Sequence, residues 1–72
     1  MEKYAVIQYI NGVFMVKFEG ENLDSLKYNY HNWCALLWND TDAVEGVVKI
    51  VDNNLDVVEG YIEFISHPAK NA

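Results

Sequence analysis

The chain has 72 residues, is 51% hydrophobic and 14% aromatic, and carries a formal charge of −6 from eleven acids against five lysines. At this length it is one domain that buries only about 60% of its unfolded surface, yet its apolar content excludes a disordered chain. It has no arginine, the side chain that forks onto phosphate or guanine, so binding nucleic acid through a basic patch is excluded as well.

Lys3 to Ile10 and Val13 to Glu19 are strand-like runs joined by Asn11-Gly12. Both turn residues tolerate the positive φ of a type I′ turn, so this is a two-residue hairpin. Its register sets Ile10 opposite Val13, Tyr9 opposite Phe14, Ile7 opposite Val16 and Ala5 opposite Phe18. The face with Ala5, Ile7, Tyr9, Phe14, Val16 and Phe18 is taken as the core face. Tyr4, Val6, Gln8, Ile10, Val13, Met15, Lys17 and Glu19 then face away, a surface only half polar.

Asn22 to Asn39 is the one segment with a helical period. Leu23, Leu26, Tyr30, Trp33 and Leu37 recur at steps of three and four and share one stripe. Asn22 or Asp24 supplies the N-cap, and the polar run Asn39, Asp40, Thr41, Asp42 ends the helix. A second stripe, Tyr28, His31, Ala35 and Trp38, lies largely off the first.

Two later runs echo one another, VEGVVKIV from Val44 and VEGYIEFI from Val58. The echo gives Val44, Gly46, Val48 and Ile50 the same core-facing role as Val58, Gly60, Ile62 and Phe64, with the two glycines leaving room for an aromatic such as Trp33. Placing Ile50 opposite Val58 requires an odd-length connection through Asn53, Asn54 and Leu55. That register pairs Lys49 with Glu59 and Glu45 with Glu63. The expected fold is therefore α+β in the order ββαββ. Two hairpins flank one helix, and a mainly antiparallel four-stranded sheet carries the helix on one face. Residues 1–66 form the domain, and 67–72, with Pro68, form a frayed tail.

HNWCALLWN together with VKIVDNNLDVVEGYIEFISHP resembles a group of short uncharacterised proteins of gut Firmicutes and their mobile elements. The resemblance covers about the C-terminal two-thirds and implies a cytoplasmic accessory protein. It brings no activity and no catalytic residues with it.

Chemistry-bearing clusters are sparse. His31 and Cys34 stand one helical step apart, which could make a thiolate–imidazole pair. A zinc site needs three or four ligands, and the chain offers one cysteine and one further histidine, His67. Asp40, Asp42 and Glu45 do not match a calcium loop, and the isolated glycines make no phosphate loop. No catalytic residue, metal or cofactor is assigned. MEKYAVIQ lacks the apolar core of a secretion signal, and no apolar run approaches the roughly eighteen residues of a membrane span, so a cytoplasmic protein without membrane contact is expected.

The expected function is a small non-enzymatic interaction module, a homodimer or an accessory subunit. It would dock through the half-apolar sheet face formed by Tyr4, Val6, Ile10, Val13, Met15, Val47, Val51, Val57 and Tyr61. Tyr28, His31, Ala35 and Trp38 are the alternative interface. Two rival readings are an acidic decoy for the basic site of a nucleic-acid-binding protein, and a small enzyme using His31 and Cys34.

Overall fold

The computed structural model describes residues 2–68. Four strands, β1 (Tyr4–Ile10), β2 (Val13–Gly20), β3 (Val44–Val51) and β4 (Val57–His67), form one antiparallel sheet in the order β2-β1-β3-β4. The helix α1 (Leu23–Trp38) connects β2 to β3 and packs on one face. The ββαββ architecture is the expected one. The last strand reaches His67, which pairs with Val44, so the first residue of the expected tail belongs to the sheet. Residues 69–72 lie outside the described residues.

The first hairpin turns where the sequence requires it. Asn11 and Gly12 hold φ of 52° and 82°, the left-handed conformations a type I′ turn demands. Asn11 also ties this turn to β3. Its backbone amide donates to the Glu45 carbonyl (2.9 Å), its Nδ2 donates to the Ala43 carbonyl (3.2 Å), and its Oδ1 accepts from the Glu45 amide (3.1 Å). An alanine could make the first of these bonds but not the other two.

Asn22 caps α1, its Oδ1 accepting from the amides of Asp24 (3.0 Å) and Ser25 (3.4 Å). Those amides have no partner inside the helix, so Asn22→Ala should cost about 1 kcal/mol and lower the melting temperature by roughly 4–8 °C. Thermal melting followed by circular dichroism measures it. The helix buries Leu26, Tyr30, Cys34 and Leu37, with Leu23 and Trp33 at the margin of the core. The Lys17 ammonium sits 4.4 Å from the centre of the Trp33 ring and closes that margin.

The face beneath the helix differs from the expected one on β1. Tyr4, Val6, Gln8 and Ile10 lie under α1, where Val6 and Ile10 join the core with Val44, Val48, Ile50 and Ile65. The cause is long-range pairing. β1 lies between β2 and β3, and Val6 pairs with Ile50, Gln8 with Val48 and Ile10 with Gly46. Once Val48 and Ile50 face the helix, the even positions of β1 must do so too. Gln8 misleads as a marker of the solvent side: it is 7% exposed, and its Oε1 has no hydrogen-bond partner among the described residues.

Two bulges complete the change of faces. One lies between Val16 and Phe18, opposite Val6 and Ile7. Phe18 consequently pairs with Val6 on the helix side, and Glu19 takes the place opposite Ala5. The second lies in β4. Val57 pairs with Val51 as the odd-length turn requires, but Lys49 then pairs with Ile62. Gly60, at φ of 86°, sits in this bulge with open space beside it. Val58, Tyr61 and Ile65 therefore pack toward the core, while Ile62 and Phe64 turn to the opposite face. The same shift sets Glu45 opposite Ser66 instead of Glu63, which removes a repulsive cross-strand pair. Gly46 makes room for backbone: a Cβ there would lie 1.8 Å from the Tyr9 carbonyl oxygen.

Candidate interaction surface

The three pairings define a grid on the helix-free face. Reading across β2, β1, β3 and β4, one row is Phe14, Tyr9, Val47 and Phe64. The next is Val16, Ile7, Lys49 and Ile62, and the third is Glu19, Ala5, Val51 and Val57. Ten of these twelve positions are apolar, and the remaining two, Lys49 and Glu19, carry opposite charges. The whole −6 therefore resides elsewhere on the chain.

The surface is contoured. Ile7 and Val51 are buried without belonging to the core under the helix. They line a concavity of about 350 Å3 together with Phe14, Val16 and Leu55. Around it the large side chains stand in solvent, Phe14 61% exposed and Phe64 74% exposed. A single exposed apolar residue is ordinary, but a contiguous patch of this kind on a small domain is a candidate contact surface.

Leu55 adds a second anomaly at the rim. It is 75% exposed and holds a left-handed φ of 66°, a conformation that costs a leucine roughly 1 kcal/mol or more. Asp52 holds the turn that presents it. The Asp52 Oδ1 accepts from the amides of Asn54 (2.8 Å) and Asp56 (3.1 Å), and the Asp52 carbonyl accepts from the Leu55 amide (2.9 Å).

Of the nine side chains expected on this surface, Val47, Val51 and Val57 are there. Tyr4, Val6, Ile10, Val13, Met15 and Tyr61 lie on the helix side, for the pairing and bulge reasons given above. Sequence reasoning missed Ala5, Ile7, Tyr9, Phe14, Val16, Ile62 and Phe64. The available signal was aromatic content, since Tyr9, Phe14 and Phe64 all occupy one row.

The alternative interface, Tyr28, His31, Ala35 and Trp38, lies along one side of α1, and all four residues are exposed. Tyr28 is exposed, and His31 sets its ring edge-on to Tyr30 and Tyr61. Trp38 leans over the sheet edge, its Nε1 donating to Glu63 Oε2 (3.0 Å) and its ring tilted against His67. The Lys27 ammonium lies 5.1 Å from the centre of the Tyr61 ring.

Cys34 is a buried free thiol. Burial, with the nearby Glu63 carboxylate, pushes it up to about 11, opposed by a hydrogen bond with Tyr30. Burial likewise raises the Tyr30 phenol. Both groups fold in their neutral forms, and the thiol's contribution to stability is complete below its ordinary value of 9 and declines as pH rises toward 11. Alkaline titration followed by fluorescence should show unfolding in that window, and Cys34→Ala should flatten it. An unchanged profile in that variant would contradict this environment for the thiol.

Two acids serve the backbone: besides Asp52, the Asp40 Oδ1 accepts from the Asp42 amide (2.9 Å). Among the described residues no group of three or more His, Cys, Asp or Glu could hold a metal, and no helix is long and apolar enough to cross a membrane. The chain matches no protein-family model, no curated protein and no solved structure.

Proposed function

We propose that the protein is a small non-enzymatic interaction module of the cytoplasm that docks onto another protein surface through the helix-free face of its sheet. The observation that carries this reading is the grid itself, ten apolar positions in three complete rows with no layer over them among the described residues. The exposed, left-handed Leu55 beside the concavity supports it, because strain of this kind persists where a presented side chain has a use. The elevated Cys34 thiol supports a non-enzymatic role, since the nucleophile would have to be a thiolate.

The test compares tagged wild type with the Phe14→Glu, Phe64→Glu double variant by co-purification from the source cell. Both side chains are largely in solvent, so the variant should keep its fold, which circular dichroism checks. Proteins retained by wild type, a second copy included, should be lost from the variant. Equal recovery by both, or nothing recovered with wild type, would overturn the reading.

A further inference from the structure

We propose that Asn11 is a self-modification site that the native turn holds shut. Once the turn opens, the Gly12 backbone nitrogen attacks the Asn11 side-chain amide, ammonia leaves, and the residue becomes aspartate or isoaspartate. Asn11 is the one asparagine of the chain followed by glycine. With no Cβ to shield it, a glycine nitrogen is the least hindered nucleophile that a following residue can offer. Gly12 is exposed, with nothing within 4 Å of where a Cβ would stand, so water and hydroxide reach it.

The chemistry is an acyl transfer within the chain, followed by hydrolysis. Hydroxide takes the Gly12 amide proton, and the nitrogen bonds to the Asn11 Cγ. The Cγ–Nδ2 bond breaks, and Nδ2 leaves as ammonia with a proton from water. Water then opens the five-membered imide at either carbonyl. Breaking the new N–Cγ bond leaves aspartate in an unchanged backbone. Breaking the original peptide bond leaves isoaspartate, with the backbone rerouted through Cβ and Cγ. Water is the sole co-reactant, and nothing is oxidised or reduced.

Two features close the site in the fold. The first is conformation. Ring closure brings the Gly12 nitrogen nearly eclipsed with the Asn11 Cβ about the Cα–C bond, which for an L-residue means ψ of about −120°. Asn11 holds φ of 52°, and the left-handed region that admits this φ has ψ of about +30 to +60°. The nitrogen therefore stands nearly anti to Cβ, away from Cγ. The second is the grip of β3 and the residue before it on Asn11. Nδ2 donates to the Ala43 carbonyl (3.2 Å), Oδ1 accepts from the Glu45 amide (3.1 Å), and the Asn11 amide donates to the Glu45 carbonyl (2.9 Å). Turning ψ through more than a right angle must either tear Asn11 from these bonds or carry Val13 away from its partner Ile10. The products do not fit the closed turn. Aspartate has no donor for the Ala43 carbonyl and sets a carboxylate oxygen against it. Isoaspartate lengthens a two-residue turn whose length fixes the register of β1 on β2. Reaction thus retires molecules whose turn has opened.

The experiment incubates wild type at one pH and temperature in buffer, in rising urea and in urea that unfolds it fully, with peptide mass spectrometry following conversion of each asparagine. In full urea position 11 should convert ahead of every other asparagine, to aspartate and isoaspartate together. In buffer its conversion should be slower by roughly 25-fold or more, since opening breaks at least two hydrogen bonds, each a factor of about five. Between these limits the rate should follow the unfolded fraction. Asn11→Asp, made directly, should melt roughly 4–8 °C below wild type. Conversion in buffer as fast as in full urea would overturn the closed turn. No preference for position 11 in urea would overturn the site itself. Asn11→Asp melting with wild type would overturn the claim that the product no longer fits.

Discussion

Gly46→Ala is expected to abolish folding. A Cβ at Gly46 would stand 1.8 Å from the Tyr9 carbonyl oxygen, 2.9 Å from the Tyr9 carbonyl carbon and 3.0 Å from the Ile10 Cα. All three are backbone atoms, so no side chain can turn aside to relieve the clash. The strands affected are β1 and β3, the central pair of the sheet, and Gly46 pairs directly with Ile10. Opening that end would also pull the Asn11 turn from its hydrogen bonds to Glu45 and Ala43. A cost of about 5 kcal/mol is comparable to the whole stability of a domain this size. Urea denaturation should show no folded baseline for Gly46→Ala. Gly60→Ala, with open space around its Cβ and only an unfavourable φ to bear, should still fold with a reduced midpoint.

The second large effect separates the two faces of the sheet. Val6→Glu places a carboxylate in a fully buried site beneath α1, and Phe64→Glu places one in solvent on the opposite side. Burying an unpaired charge costs roughly 3–5 kcal/mol or forces the group to fold protonated, so Val6→Glu should lose its cooperative transition at neutral pH. Phe64→Glu should melt close to wild type at dilutions where the chain is monomeric. The reverse pattern would mean that the helix covers the other face.

These two substitutions mark where the sequence stops being legible. Element order was readable because its causes are local. The stripe from Leu23 to Leu37 has a helical period, Asn11-Gly12 forces a tight turn, and Asn22 offers a capping oxygen. The face of β1 was not readable. Its two sides are almost equally apolar, and the choice between them is made by β3, some forty residues away, through Val6–Ile50 and Gln8–Val48 pairing. Gln8 argued for the wrong side, because alternation treats a polar residue as solvent-facing. The echo between Val44 and Val58 predicted equivalent roles for two strands, but the bulge at Gly60 breaks that equivalence after Val58. Ile62 and Phe64 thereby lie on the edge strand of the uncovered grid instead of in the expected core. That an uncovered apolar sheet face exists was legible, since neither side of the first hairpin is polar enough for water. Its membership waited on strand order and two bulges.

The most direct measurement is hydroxyl-radical footprinting of the protein at dilute and at working concentration, resolved residue by residue. Tyr9, Phe14 and Phe64 on the sheet face, and Tyr28 and Leu36 on the helix, are all large exposed side chains. The account predicts that Tyr9, Phe14 and Phe64 become protected as concentration rises, or when the partner is added, while Tyr28 and Leu36 react unchanged. Protection at Tyr28 and Leu36, with Phe14 and Phe64 still reactive, would contradict it.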